Sequence, residues 1–213
     1  MALKRENGII LALDVDTKEL ALEVCGEVAE FVDAIKVGYP LVLKTGLSIL
    51  GELKQFQKPI ITDFKVADIP IISQRICKAA VSAGADFVIV HGFVGEDVVK
   101  ACSEVAEIFV VAEMSHPGAL DFMARNAEGI AGIAKKYAEG IVAPATRPER
   151  IKELRSAVGE LTIISPGVKA QGASVGDAIR AGADFEIIGR GIYEAKEPRI
   201  AAEEFSKSAK EAF

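Results

Sequence analysis

Hydrophobic positions along the chain gather into eight short runs: "GIILALD", "DAIKVG", "PIITDF", "DFVIVHG", "IFVVAEMS", "GIVAP", "LTIISPG" and "DFEIIGR". Most are nearly continuous β-branched and aliphatic segments rather than alternating ones. That is the pattern of parallel strands buried on both faces. Longer stretches with helical spacing lie between the runs. "TKELALEVCGEVAEF" has Thr17 in N-cap position and places Leu20, Val24, Val28 and Phe31 on one face. "PIISQRICKAAVSAGA" opens with Pro70 in the first helical turn and closes with Gly84 near the C-cap. "TRPERIKELRSAVG" and "ASVGDAIRAGA" continue the alternation. Gly-Ala precedes a strand twice, in "AGADFVIV" and "AGADFEII", and reads as a recurring helix-to-strand turn rather than an internal repeat.

Eight strands alternating with about eight helices in 213 residues leave roughly 27 residues per unit, which matches a compact (β/α)8 TIM barrel. The expected fold class is therefore α/β, with residues 1–213 as a single barrel domain. A doubly wound open sheet is the alternative. It normally has a Gly-rich phosphate turn after its first strand, and "LALDVDTKEL" stands there instead.

Composition narrows the functional classes. Half the residues are hydrophobic and 26% are charged, enough for a sizeable core. The net charge of −6, without a long Lys/Arg cluster, argues against nucleic acid or an anionic membrane as a bulk partner. Cys25, Cys77 and Cys102 form no CxxC pair and read as buried thiols of a reducing compartment. The apolar run behind the basic start ends at Asp14, shorter than a secretory core, and no run approaches the ~20 residues of a membrane span. A cytoplasmic protein is expected.

Polar residues then become informative. Barrel chemistry occurs at the C-terminal ends of strands. There the chain places Asp14, Lys36, the pair Asp63 and Lys65, "EMSHPGA", "SPGVKAQGA" and "IGRGIY". Asp63 and Lys65 are two apart and so project from one face of their strand. One such charge reaching water is ordinary; agreement among so many strands is not. A lysine between carboxylates has its charged form favoured, a poor general base but a good stabiliser and proton donor for a carbanion. A buried ion-pair network is the bland counterpart. "PGVKAQG" and "GRG" stand where many barrels bind phosphate, with Gly189 opening backbone N–H groups to an anion and Arg190 able to grip it. The small-residue segment from Pro166 to Val175 could fold over a ligand.

These motifs resemble the orotidine 5'-monophosphate decarboxylase family in its short archaeal form. "DFKVADIP", "KVGYPLVL", "IVHGF", "EMSHPGA", "TRPER", "SPGV-x-AQG" and "GR-x-IY" follow in family order from Asp14 to Tyr193. The Asp-Lys-Asp core alone is shared with related metal-dependent sugar-phosphate enzymes; the "SHPGA" and "PGV-x-AQG" loops point to a pyrimidine nucleotide. The resemblance implies that Lys65 protonates C6 of the pyrimidine as carbon dioxide leaves, with Asp63 beside the substrate carboxylate. It implies a homodimer in which Asp68 crosses from the neighbouring subunit to complete a network with Lys36. It further implies that Asp14 and Lys36 hold ribose hydroxyls, Ser115 reads the pyrimidine, and Gln171 bridges base and phosphate. Gly189 and Arg190 would bind the phosphate, Pro166 and Val168 would line the pocket, and Ile69 would be a further substrate contact. No metal or organic cofactor is implied.

Two positions depart from the pattern. Ile72 stands where the family has a Thr that contacts ribose, so that contact is lost, made by backbone, or supplied by a neighbour such as Ser73. Glu186 interrupts an aliphatic strand, and either reaches water or pairs with a base on a helix. Of the two histidines, His91 and His116, neither has an acid cluster to suggest a metal, and His91 is expected to be hydrogen-bonded structure. Glu113 is expected either to face the barrel interior and pair with a lysine or to serve as a structural ion-pair partner. A magnesium-dependent sugar-phosphate enzyme and a non-catalytic binding barrel are the competing functional readings.

Overall fold

The computed structural model describes residues 3–169 and 172–213. Each apolar run forms a strand: β1 (Ile9–Ala12), β2 (Ala34–Gly38), β3 (Ile60–Val66), β4 (Phe87–His91), β5 (Glu107–Val111), β6 (Gly140–Val142), β7 (Thr162–Pro166) and β8 (Phe185–Ile188). All pair in parallel in chain order, and β8 returns to β1, so the sheet is a closed barrel and not an open one. Alternate residues explain the continuous apolar runs. Ile10, Ala34, Ile61, Phe87, Phe109, Ile164 and Phe185 fill the interior, while Ile9, Leu11, Ile35, Val88, Val110 and Ile163 face the surrounding helices. Both faces are buried, so both are mostly apolar.

The described residues include eleven α-helices: α1 (Lys18–Val28), α2 (Tyr39–Thr45), α3 (Ile49–Leu53), α4 (Pro70–Ser82), α5 (Glu96–Ser103), α6 (Ala119–Phe122), α7 (Ala127–Tyr137), α8 (Pro148–Val158), α9 (Asp177–Arg180), α10 (Arg190–Tyr193) and α11 (Pro198–Lys210). The excess over eight arises because the β2–β3 and β5–β6 connections and the segment after β8 each hold two. Thr17 does cap α1, its hydroxyl accepting from the Leu20 amide at 3.2 Å. The buried face of that helix is Ala21, Val24, Cys25 and Val28, whereas Leu20 is 40% exposed. Leu20 sits one step, about 100°, round from Ala21, outside the stripe that i, i+3, i+4 and i+7 define. "ASVGDAIRAGA" supplies only the four-residue α9. All three cysteines are buried free thiols. No helix among the described residues is long and apolar enough to cross a membrane.

The two Gly-Ala turns are built alike. Ala85 N–H donates to the Ala80 carbonyl at 3.1 Å and Ala183 N–H to the Ala178 carbonyl at 2.9 Å, with Gly84 and Gly182 at φ of 117° and 111°. This is the Schellman closure, which requires a left-handed residue that glycine adopts without steric cost. The next residue ties neighbouring strands together. Asp86 accepts from the Ile60 amide at 2.7 Å and Asp184 from the Ile163 amide at 2.8 Å.

Asp33, ahead of β2, does the same more extensively. Its carboxylate accepts from the backbone amides of Glu6, Asn7 and Gly8 and from the Asn7 side chain, at 2.7 to 3.2 Å. It is 6% exposed. Removing it strands several buried donors, each of which costs about 1–3 kcal/mol when left without a partner. Asp33→Ala is therefore expected to destabilise the fold by about 3 kcal/mol, read as a lowered urea midpoint with unchanged slope. A loss below about 1 kcal/mol would mean that those amides find other acceptors.

Candidate active site

Strand parity and barrel stagger bring the predicted residues together above the interior core. Lys36 in β2 and Asp63 in β3 both point inward, and the register Lys36↔Ile61, Gly38↔Asp63 sets Asp63 one inward layer higher. β1 stops at Ala12, β5 at Val111 and β8 at Ile188, so Asp14 and Ser115 stand on the loops just beyond the strand ends and Arg190 opens α10. Between them lies a cavity of about 290 Å³, lined by Asp14, Lys36, Asp63, Lys65, Ser115, Pro166, Val168, Gly189 and Arg190. Its floor is apolar, from Ala12, Ile89, Val111, Val142 and Ile187. The volume is at the small end for small-molecule sites.

Asp63 is the hub of the charge array. One carboxylate oxygen accepts from Lys36 Nζ at 2.9 Å and the other from Lys65 Nζ at 2.7 Å. The Lys36 and Asp63 side chains are only 6% and 12% exposed. Burial alone would raise the Asp63 pKa, but Lys36 and Lys65 outweigh it and bring it down to about 2. Burial likewise opposes the charge on Lys36, yet Asp63 and Asp14 hold its pKa above the ordinary lysine value. The pair is thus ionised at neutral pH. Asp14 packs against Gly38, where an added Cβ would sit 2.8 Å from its carboxylate oxygen.

Lys65 is held in an unusual backbone conformation. Its φ is +43°, one of three non-glycine residues with positive φ among those described, and the β3–β4 register shifts between Thr62 and Val66. The irregularity re-aims the side chain at the end of the strand, leaving it 34% exposed toward the cavity while bonded to Asp63.

The opposite wall is built from loops. Pro166, Gly167 and Val168 leave β7, and Val168 pairs with Ala173 while Lys169 N–H donates to the Ala173 carbonyl at 2.8 Å. Gln171 lies outside the described residues. Gly189 is demanded by packing as well as by ligand access, since a Cβ there would lie 3.1 Å from the Ala12 carbonyl. Arg190 follows, exposed, at the start of α10. The Ser115 carbonyl is held by the Thr146 hydroxyl at 3.0 Å and by Arg147.

Several expectations need correction. Glu113 is the structural ion-pair partner of the second reading, fully buried and paired with arginines, not a lysine: Arg147 Nε at 2.9 Å and Arg150 Nε at 2.8 Å. It stands past the end of β5 and does not line the cavity, because the guanidinium groups at the start of α8 draw it aside. Glu186 neither reaches water nor meets a base; it is fully buried and accepts from the backbone amides of Gly176 and Ala178. His91 is not hydrogen-bonded at Nδ1, which is buried with no partner among the described residues. Its ring lies 4.7 Å from that of Phe93. Burial, reinforced by Lys65, pushes its pKa down to about 4, so it is neutral at physiological pH.

Asp68 and Ile69 do not line the cavity of their own chain. Asp68 is exposed on the loop before α4, and Ile69 is 60% exposed. Ser73 does not stand in for the missing Thr hydroxyl. It is fully buried and its hydroxyl brackets Asp68, accepting from the Asp68 amide at 3.1 Å and donating to the Asp68 carbonyl at 2.8 Å. Besides the apolar floor, Met114, His116 as a liner, and Tyr193 escaped the sequence reading. Tyr193 stood in the "GR-x-IY" motif, the one signal that could have marked it. Its phenol is raised in pKa by burial and by Asp14.

With this geometry in place, comparison with known proteins is direct. A model of the orotidine 5'-phosphate decarboxylase / HUMPS family matches residues 7–205. The chain is 55% identical over 212 residues to orotidine 5'-phosphate decarboxylase of Methanosarcina mazei, covering 96% of each chain. It is 44% identical over 206 residues to that of Pyrococcus furiosus, covering 95% of this chain and 98% of the relative. The crystal structure of orotidine 5'-monophosphate decarboxylase from Methanocaldococcus jannaschii, complexed with inhibitor BMP, superposes with a TM-score of 0.91 at 44% identity, covering 95% and 98% of the two chains. Matched almost end to end in sequence and in barrel architecture, the chain belongs to the orotidine 5'-phosphate decarboxylase / HUMPS family.

Proposed function

We propose that the chain decarboxylates orotidine 5'-monophosphate to uridine 5'-monophosphate, the last step of de novo pyrimidine nucleotide synthesis, without metal or organic cofactor. The observation that carries this reading is the carboxylate of Asp63 shared between two lysines above an apolar floor. In the proposed step the C6–carboxylate bond breaks and its electron pair stays on C6. The Lys65 ammonium stabilises the developing carbanion and then donates a proton to it, leaving a neutral amine that solvent reprotonates. Asp63 lies beside the substrate carboxylate, and Lys36, itself buried, keeps Asp63 ionised and in place. Ground-state repulsion by Asp63 is the more contested contribution; differential stabilisation of the carbanion is sufficient.

The remaining roles follow position. Asp14 and Lys36 take ribose hydroxyls, Ser115 the pyrimidine, Gln171 the gap between base and phosphate, and Gly189 with Arg190 the phosphate. Pro166 and Val168 close the apolar side. Asp68 and Ile69 serve the partner subunit's site in a homodimer. Supporting that assignment, neither residue lines its own chain's cavity, and both are exposed, in sequence next to Ile71, itself 52% exposed. No nucleic acid or membrane is involved.

A metal-dependent sugar-phosphate reaction is the rival within the same family. Among the described residues no three His, Cys, Asp or Glu side chains gather as a metal-binding group, and the central acid is already engaged by lysines. The deciding experiment follows the orotate absorbance of orotidine 5'-monophosphate with purified protein, with and without chelator. Equal loss of signal in both is expected. Loss only without chelator would assign a metal-dependent reaction, and no loss in either would reject the decarboxylase reading.

A further inference from the structure

The outward face of a barrel strand packs on helices and is normally apolar. On β8 that face carries Glu186, fully buried, between the inward-pointing Phe185 and Ile187. A carboxylate in such a place is costly unless its oxygens are satisfied. Its partners are all backbone: the Gly176 amide at 2.9 and 2.8 Å and the Ala178 amide at 3.0 Å. Three or more amide contacts converge on a side chain that has no Lys, Arg or His within ion-pair distance among the described residues. A surface helix cap would need far less burial.

The donors occupy one particular place in the chain. Gly176 ends the connection that leaves β7 at Pro166, and Gly167 and Val168 on that connection line the cavity. Its two ends meet the same strand. Pro166 is registered with Ile187 through the ladder, and Ser165 with Glu186. The far end returns to β8 through the Glu186 carboxylate. The Val168–Ala173 bridge joins the two sides of the connection next to the cavity wall. Three residues beyond Glu186, the same chain reaches Gly189 and Arg190. Gly176 fits this clasp closely, with φ at 88° and an added Cβ only 2.8 Å from Arg180 Nη1.

We propose that Glu186 is a positioning residue for the phosphate end of the site: its carboxylate clasps the far end of the β7 connection to the strand that presents Gly189 and Arg190, and so fixes the width of the cradle. The inference rests on the nucleotide reading above. It assigns no contact between Glu186 and substrate; Glu186 acts through Gly176 and the segment behind it.

The test compares wild type with Glu186→Gln, which keeps shape and one acceptor oxygen but sets an NH2 donor against the Gly176 amide, and with Glu186→Asp, which keeps the charge on a shorter arm. Steady-state assays with orotidine 5'-monophosphate should show KM raised by about tenfold in Glu186→Gln with kcat within about twofold, and a smaller rise in Glu186→Asp. Calorimetry should show weakened binding of uridine 5'-monophosphate and unchanged binding of uridine, which lacks the phosphate. A fall in kcat at unchanged KM, or equal weakening toward nucleotide and nucleoside, would overturn the proposal in favour of a purely structural role. If Glu186→Gln does not fold, Glu186→Asp carries the same comparison with the same opposing outcomes. Wild-type protein inactive on orotidine 5'-monophosphate sinks the decarboxylase reading alone, because the nucleotide-to-nucleoside binding ratio still tests Glu186.

Discussion

Lys65→Ala is expected to lower kcat/KM for orotidine 5'-monophosphate by at least about 10⁴-fold, because one ammonium supplies two separable effects. Electrostatic stabilisation by a preorganised donor is worth about 10²–10³, and proton delivery about 10²–10⁴. Their product sets the scale of the loss. The substitution isolates the side chain well. Alanine keeps a Cβ, so the backbone at φ +43° bears the same steric cost, and the Lys36–Asp63 pair at 2.9 Å remains. The urea midpoint should therefore stay close to wild type, and uridine 5'-monophosphate should bind within about tenfold of it. Orotate absorbance under single-turnover conditions measures the chemical step directly. A loss smaller than about 10² would remove Lys65 from the role of proton donor.

The second large effect concerns assembly. Asp68→Asn should be severely impaired although residue 68 lies outside its own chain's cavity. Mixed with Lys65→Ala, it should recover activity. In a dimer whose site takes Lys65 from one subunit and Asp68 from the other, each mixed dimer regains one unaltered site and carries one doubly altered site. Random exchange makes half the dimers mixed, so the mixture should approach about a quarter of wild-type activity per site. Subunit exchange is verified independently by mass-tagged chains. Activity no greater than that of the separate variants, with exchange demonstrated, would place Asp68 outside the neighbouring site.

Much of the fold was legible because periodicity reports burial. Eight apolar runs became eight strands, and the parity of Asp63 and Lys65 led to two side chains meeting at one carboxylate. The Gly-Ala turns were legible because a Schellman closure demands a left-handed residue. The failures share a cause. Glu113, Glu186 and His91 were assigned to the correct strands or strand ends, yet what surrounds each side chain is set by other elements of the fold. Glu113 is answered by guanidinium groups more than thirty residues on, Glu186 by amides of a preceding loop, and His91 Nδ1 by nothing among the described residues. Alternation says which face a side chain takes; it is silent on what waits there. Leu20 erred differently, since an apolar residue at the edge of a helical stripe looks the same as one within it. The Lys65 torsion had no sequence signal at all.

That torsion has a consequence for anyone who would make the protein hardier. A non-glycine residue in the left-handed region costs about 1–3 kcal/mol that the surrounding structure must absorb, and the chain accepts this at the residue on which its chemistry most depends. Glycine at position 65 would relieve the strain and abolish the ammonium in one stroke. Selection for heat resistance alone would thus reward the loss of function at this position. Any laboratory evolution of this barrel has to score turnover alongside survival, or it will drift toward a sturdier and inert descendant.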